Sequence, residues 1–189
     1  MQIVIWPFTK KVAIEDRVSG KVDVSKHNSY YAKSETINKA DFSGATFDSF
    51  TAVGCRFTEC SFENVIFKSI CFGAGTVDST YENCSFNRAT INANAPGNAR
   101  FINCTFENVD IETIIALNIE LINCQFSGII RSGFFNGEVP LSDDRQYLNR
   151  QTNMFEGNDF SGCKLVDFEF RTNIDLSKQV LPEAWKNGT

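Results

Sequence analysis

A chain of 189 residues, 42% of them apolar, is long enough to bury one full core, and no compositional shift marks a second domain. Its net charge of −5 disfavours direct nucleic-acid binding, which needs a basic face, and no stretch approaches the ~20 apolar residues of a membrane span. Eighteen Phe point to one aromatic type filling a repeated socket, and seven Cys, an odd number on no disulfide framework, read as reduced thiols used as small apolar residues.

Residues 1–33 read as an N-terminal cap with irregular first turns. Gln2-Ile-Val-Ile-Trp-Pro-Phe8 is predicted as a strand over the open end of the core, with Trp6 and Phe8 plugging it, because an uncovered β edge invites aggregation. No basic segment leads into an apolar run and cleavage site here, so the expected location is cytoplasmic. His27, the one histidine, has no second ligand or base beside it in sequence and is expected on the surface. This segment carries six Lys/Arg against three acids, a balance of +3, which leaves −8 on residues 34–189.

Residues 34–130 are the regular part. Tyr81-Glu-Asn-Cys84-Ser-Phe86, Phe101-Ile-Asn-Cys104-Thr-Phe106 and Leu121-Ile-Asn-Cys124-Gln-Phe126 are one line repeated at constant spacing, and within each copy a large apolar residue recurs at every fifth position. A period of five fits neither a helix nor a flat strand. It fits a square coil of four short sides, each sending one residue inward. The inward centres are Phe42, Phe47, Ala52, Phe57, Phe62, Phe67, Phe72, Tyr81, Phe86, Ile91, Phe101, Phe106, Ile111, Ala116, Leu121 and Phe126. Two positions before many of them stands a smaller inward residue, such as Ala40, Cys55, Cys60, Cys84, Cys104 or Cys124. Stacking then puts Phe86, Phe106 and Phe126 in one column and Cys84, Cys104 and Cys124 in another. Thiols in a straight file do not converge to the ~2.3 Å that a tetrahedral zinc ion needs, so neither metal nor cofactor is expected.

The grid breaks in four places. Phe72 and Tyr81 are nine apart, as if one residue were missing at a corner, and Pro96 falls at a centre, which suggests a flattened or bulged side. In Ile111–Ile122 the grid sends Ile114, Ala116, Ile119 and Leu121 inward and leaves Ile115, Leu117 and Ile122 outside, with Ile102 one coil below Ile122. Such an apolar patch usually has a cover. Residues 131–153 read as an inserted loop, and long excursions from a compact scaffold are often functional or disordered. Phe134, Phe135 and Leu141 could fold back over the patch; a protein partner or a homodimer is the competing cover. The candidate partner-binding residues are therefore Phe134, Phe135, Arg145, Tyr147, Arg150, Ile102, Ile115, Leu117 and Ile122. Residues 154–176 resume the grid with Phe155, Phe160, Leu165 and Phe170. Residues 177–189 form a C-terminal cap and tail in which Leu181 and Trp185 close the last coil.

Ala40-Asp-Phe-Ser-Gly-Ala-Thr-Phe-Asp-Ser resembles the bacterial pentapeptide-repeat family, whose unit is Ala-Asp/Asn-Leu/Phe-x-x, and residues 37–176 keep that phase apart from the breaks. The resemblance implies an all-β fold, a right-handed quadrilateral β-helix of about five coils, as a repeat of this length independently suggests. It also implies two function classes. One is an interaction scaffold with an immunity or adaptor role. The alternative is a DNA-mimicking modulator or protector of DNA gyrase or a related topoisomerase. B-DNA carries one charge per ~1.7 Å, so a rod roughly 24 Å long would need about 14 negatives to copy it; −8 is little more than half. No phosphate-binding glycine loop, Ser/His/Asp set or Cys/His cluster occurs. Glu107, Asp110 and Glu112 fall at outer repeat positions, and the expectation is a non-catalytic protein.

Overall fold

An inward residue at every fifth position leaves the backbone one economical arrangement, short parallel strands laid coil upon coil. The computed structural model describes residues 2–3, 12–13, 20–21 and 28–186. On the first face, Thr36–Asn38, Arg56–Thr58, Ser79–Glu82, Asn98–Ile102, Asn118–Ile122 and Phe155–Glu156 pair in parallel, six layers and so about five turns. The second face is tied by single bridges running Asp41, Ser61, Ser85, Thr105. The third stacks Thr46–Phe47, Ile66–Phe67 and Thr90–Ala93 on the long strands that follow. The fourth begins with Ser29–Lys33, Ser49–Val53 and Ile70–Cys71. It resumes, after a break, where Ile114–Ala116 pairs with Gly133–Phe135 and then Phe168–Phe170.

The core shows why Phe recurs. Phe42, Phe62, Phe86, Phe106, Phe126 and Phe160 form one column with ring centroids 4.5–4.8 Å apart, the spacing of the coils themselves. Phe57, Tyr81 and Phe101 form a second column at 4.7 and 4.8 Å. Columns meet edge to face, as where Phe72 stands at 85° to Tyr81 and 87° to Phe101, which sets positive ring edges on negative ring faces. The thiol file is equally regular. Cys60, Cys84, Cys104 and Cys124 are buried and free, and each Sγ donates to a carbonyl of the coil below, those of Ile37, Phe57, Tyr81 and Phe101, at 3.3–3.7 Å.

Corners are built from left-handed residues. Lys39, Glu59, Asn83, Asn103 and Asn123 stand at one corner with φ of 52–55°, continued by Gly157 at 67°. Asn tolerates this region because its short amide can bond locally, and here Asn103 Nδ2 donates to Asn83 Oδ1 at 3.3 Å.

Four sequence expectations are corrected. Ser29–Lys33 is already a side of the solenoid rather than part of an irregular cap ending at 33, with Tyr30 buried and stacked 4.7 Å from Phe50. Phe50 also replaces Ala52 as the socket filler, since where a centre shrinks to Ala its neighbour two before grows, as in Tyr30/Ala32 and Ile114/Ala116. Between Phe72 and Tyr81 no residue is missing. Phe57 pairs with Tyr81, and Tyr81 in turn with Phe101, so the turn that holds Phe72 is the longer of the two; its surplus loops out and leaves Val77 63% exposed. A coil cannot drop a corner residue without turning every following side chain over, but it can loop a surplus out. Finally, 131–153 is not one inserted loop: Gly133–Asn136 is a coil strand and Phe135 is in the core. Leu121 pairs with Phe155 where an unbroken grid would offer Leu141, so the true excess is only the stretch between those two positions.

At the ends, Gln2–Ile3 pairs antiparallel with Val12–Ala13, and Gly20–Lys21 adds a layer under Ala40–Asp41. The Trp6/Phe8 plug, His27 and the tail from residue 187 lie outside the described residues. At the far end Val180 bridges Asp159, and Trp185, from the short helix Glu183–Lys186, packs 5.6 Å from Phe170. In this last coil Leu165 and Phe170 are half-buried rather than fully enclosed, because no further coil lies above them.

Candidate interaction surface

Outward residues stack one coil apart like the inward ones, and on three faces this builds ion pairs. Arg56 meets Glu82 at 2.6 Å and Arg100 meets Glu120 on the first face. Arg88 meets Glu63 at 2.8 Å beside the second. On the third, Lys68 meets Asp48 at 2.7 Å and Arg131 meets Asp110 at 2.9 Å. The Lys68 ammonium holds the Asp48 carboxyl below its ordinary range. The fourth face is different. Its outward rows read Thr51, Cys71, Ile115, Phe134 and Val53, Gly97, Leu117, and nothing charged stands among them. Charge returns only at Lys33 below and at the Glu169–Arg171 pair above.

In the middle of this uncharged face the sheet breaks. After Ala93 pairs with Ile114, Asn94 and Ala95 leave the ladder and Pro96 turns inward and is buried. The backbone is drawn down instead onto the coil below, where Asn98 N donates to Gly73 O at 2.6 Å and Gly73 N to Pro96 O at 3.2 Å. The approach is possible because Gly73 and Gly97 carry no side chain. A Cβ on Gly73 would lie 1.6 Å from Asn98 O, and one on Gly97 (φ +78°) would lie 2.2 Å from Gly73 O. The result is a cleft of about 350 Å³ with Cys71, Ala74 and Ala95 in its lining, Ile115 and Leu117 as its apolar wall, and Asn98 and Asn118 at one side. Cys71 is the partly exposed member of the seven cysteines; burial pushes its thiol up.

The excursion stands beside the cleft and is pinned by polar contacts. Helix α1, Ser142–Leu148, buries none of its residues. Asn118 Nδ2 donates to Asp144 Oδ2 at 2.8 Å and to Asn98 Oδ1 at 2.9 Å, fixing helix to wall. Arg150 is almost enclosed. It pairs with Asp78 of the looped-out corner and with Glu120 at 3.5 Å, and donates to Asn118 O at 3.0 Å. Glu120, 2% exposed, also takes Arg100 and accepts from Met154 N. Asn153 ties the excursion's end to Leu117 O and Asn136 O. The two departures from the grid are thus joined to each other through one buried guanidinium.

The predicted partner-binding residues divide. Ile115 and Leu117 lie together on the cleft wall, and Arg145 and Tyr147 are exposed on α1. Phe134 is half-buried on the same face under Arg171, whose guanidinium carbon is 3.9 Å from the ring centroid. Ile102 and Ile122 pair in register on the first face, half-buried, between Glu82 below and Glu156 above, and do not join the cleft. Phe135 and Arg150 are removed from the set, the first by burial at 1% exposure and the second by its structural ion pairs. Phe134 stands beside Ile115 in register, Phe135 is inside the core and Leu141 is exposed, and Ile115 remains partly open to solvent. Sequence reasoning missed the cleft itself; the doublet of Gly73 and Gly97 around Pro96 is the signal that marks it.

Among the described residues no group of three or more His, Cys, Asp or Glu could hold a metal ion, and no helix is long and apolar enough to cross a membrane. The family model for pentapeptide repeats matches residues 40–73 in eight copies. Among curated proteins no sequence matches.

Proposed function

We propose that the chain, a β-solenoid whose residues 40–73 match the pentapeptide-repeat family, is a non-catalytic interaction scaffold that presents the fourth face of its solenoid to a protein partner. The carrying observation is the missing charge: three faces interleave acids and bases, while the fourth shows Thr51, Cys71, Ile115, Leu117 and Phe134 around a cleft. Depletion of charge at the centre of a patch, more than bulk apolarity, distinguishes protein interfaces. A photo-crosslinking side chain placed at Ile115 should form adducts in the native host, whereas the same group at Glu107, on the second face, should not. Equal labelling at both positions would remove the assignment.

Modulation of DNA gyrase is the second reading, and the ion pairs weigh against it. A duplex mimic needs an unbroken acidic stripe, but Asp48, Glu63, Glu82 and Asp110 each face a Lys or Arg one coil away. A supercoiling assay should show no inhibition or drug protection at many-fold excess of the protein. Dose-dependent inhibition would reverse the ranking.

A further inference from the structure

The fourth face is small. Its uncharged rows span five layers, about 20 Å at coil spacing, and a side of three or four residues is about 12 Å wide. That is roughly 250 Å² against the ~800 Å² per partner of a standard stable interface. A dimer of this chain seated on the face alone would be too weak to persist. A strip of this length matches about six residues of extended chain at ~3.3 Å each. The cleft at its centre, about 350 Å³, is large enough to take one bulky side chain and too small for a folded element.

We propose that the fourth face binds an extended, uncharged peptide segment of a partner protein, with one large apolar side chain seated in the cleft against Ile115 and Leu117. This rests on the scaffold reading and names the chemistry of its partner. Ile115 and Leu117, each 37% exposed, supply the apolar wall, and Ala95 and Ala74 leave the room. No charged residue lines the cleft itself, and the Asp144 carboxylate beside its wall is engaged by the Asn118 amide. Helix α1, held to the wall through Asn118 and Asp144, bounds the strip on one side.

The test uses blocked undecapeptides of Gly, Ser and Asn with one central guest, Phe, Leu, Ala, Lys or Glu, titrated into the isotope-labelled full chain. Phe and Leu guests should shift the amides of residues 71–75, 94, 95, 97, 98 and 115–118 with low-millimolar Kd. The Ala guest should bind at least tenfold more weakly, since it buries little apolar area, and Lys and Glu no better than Ala. Alkylation of the Cys71 thiol should slow with the Phe or Leu guest and not with the other three. Ala95→Trp, which fills the cleft, should abolish the shifts. Leu117→Ser, at an exposed position that leaves the fold unchanged, should weaken the Phe guest about tenfold if Ala95→Trp does not fold. Shifts independent of the guest, shifts elsewhere, or a stable dimer in sedimentation would overturn the proposal. If no guest binds while the Ile115 crosslink forms, the cleft assignment falls and the scaffold stands; if both are absent, both fall.

Discussion

At the residue scale the coil repeats make single side chains unusually open to test, because each is held by its copies above and below. Phe106 stacks 4.8 Å from Phe86 and 4.5 Å from Phe126, so Phe106→Ala opens a gap inside a continuous column. It should cost about 3–5 kcal/mol in denaturant unfolding, as for other Phe-to-Ala cavities; a loss below about 1 kcal/mol would mean the column closes up. Arg150 is the polar counterpart. Removing it leaves Asp78 and the buried Glu120 short of a cation, though Arg100 remains on Glu120. Arg150→Ala should therefore cost about 3 kcal/mol, the low end for breaking a buried pair, and Asp78→Asn in the same background should add little. Full additivity of the two would show that they do not act as one unit. The Phe column from Phe42 to Phe126 and the thiol file from Cys60 to Cys124 were legible in the sequence because they fall on a grid of five, whereas the buried Phe50, Phe135 and Phe168 stand off that grid and were not. Arg150 was not, because its partners Asp78 and Glu120 belong to earlier coils, and the looped-out surplus on either side destroys any phase that could connect them.

At the element scale the reading succeeded wherever the grid held and failed where the chain left it. Gly133–Asn136 was hidden inside an apparent loop because its centre, Phe135, is out of phase with Phe126; only its pairing with Ile114–Ala116 and Phe168–Arg171 identifies it as coil. The distinction has a consequence for truncation. Deleting residues 133–152 removes a coil strand and should abolish the β signal in circular dichroism. Replacing residues 140–149 by Asn-Gly should keep it, because Val139 N already bonds Gln151 O at 2.9 Å and Asn-Gly followed by Arg150 makes a three-residue hairpin loop, a length that closes such a pair. This shorter form retains Arg150 and its ion pairs. The inverse pattern, with the large deletion folded and the small one not, would mean that the excursion rather than the strand organises the upper coils. The fourth-face cleft was unreadable for a related reason. Pro96 at a centre signalled an irregular side, but whether that side bulges out or sinks depends on Gly73, a coil earlier, admitting Asn98 within contact distance.

For the whole molecule, the consequence of a core built from thiols and phenols alongside Phe is an asymmetric response to pH. Burial pushes the Cys163 thiol up to about 12, with Asp159 adding to it, from an ordinary value near 9. Burial likewise raises the Cys55 and Cys71 thiols, and it raises the Tyr30 and Tyr81 phenols, Tyr81 donating its hydroxyl to Phe72 O at 2.9 Å. In the unfolded chain these groups lose their protons from their ordinary values upward, near pH 9 for the thiols and near 10 for the phenols, whereas in the folded chain each holds its proton to higher pH, Cys163 to about 12. The folded state then binds more protons, so stability falls as pH rises through that window and is fully present below it. On the acid side the lowered carboxyls, Asp48, Glu169 and Asp175, are fully exposed and screened by solvent, so their protonation should change little. Thermal unfolding followed by circular dichroism should give a Tm that is level from pH 6 to 8.5 and drops steadily above 9. Cys163→Ala should flatten the first part of the drop relative to its own neutral-pH value. A Tm that held through pH 11, or that fell first near pH 5, would mean that surface ion pairs rather than the buried thiols and phenols set the pH dependence of the solenoid.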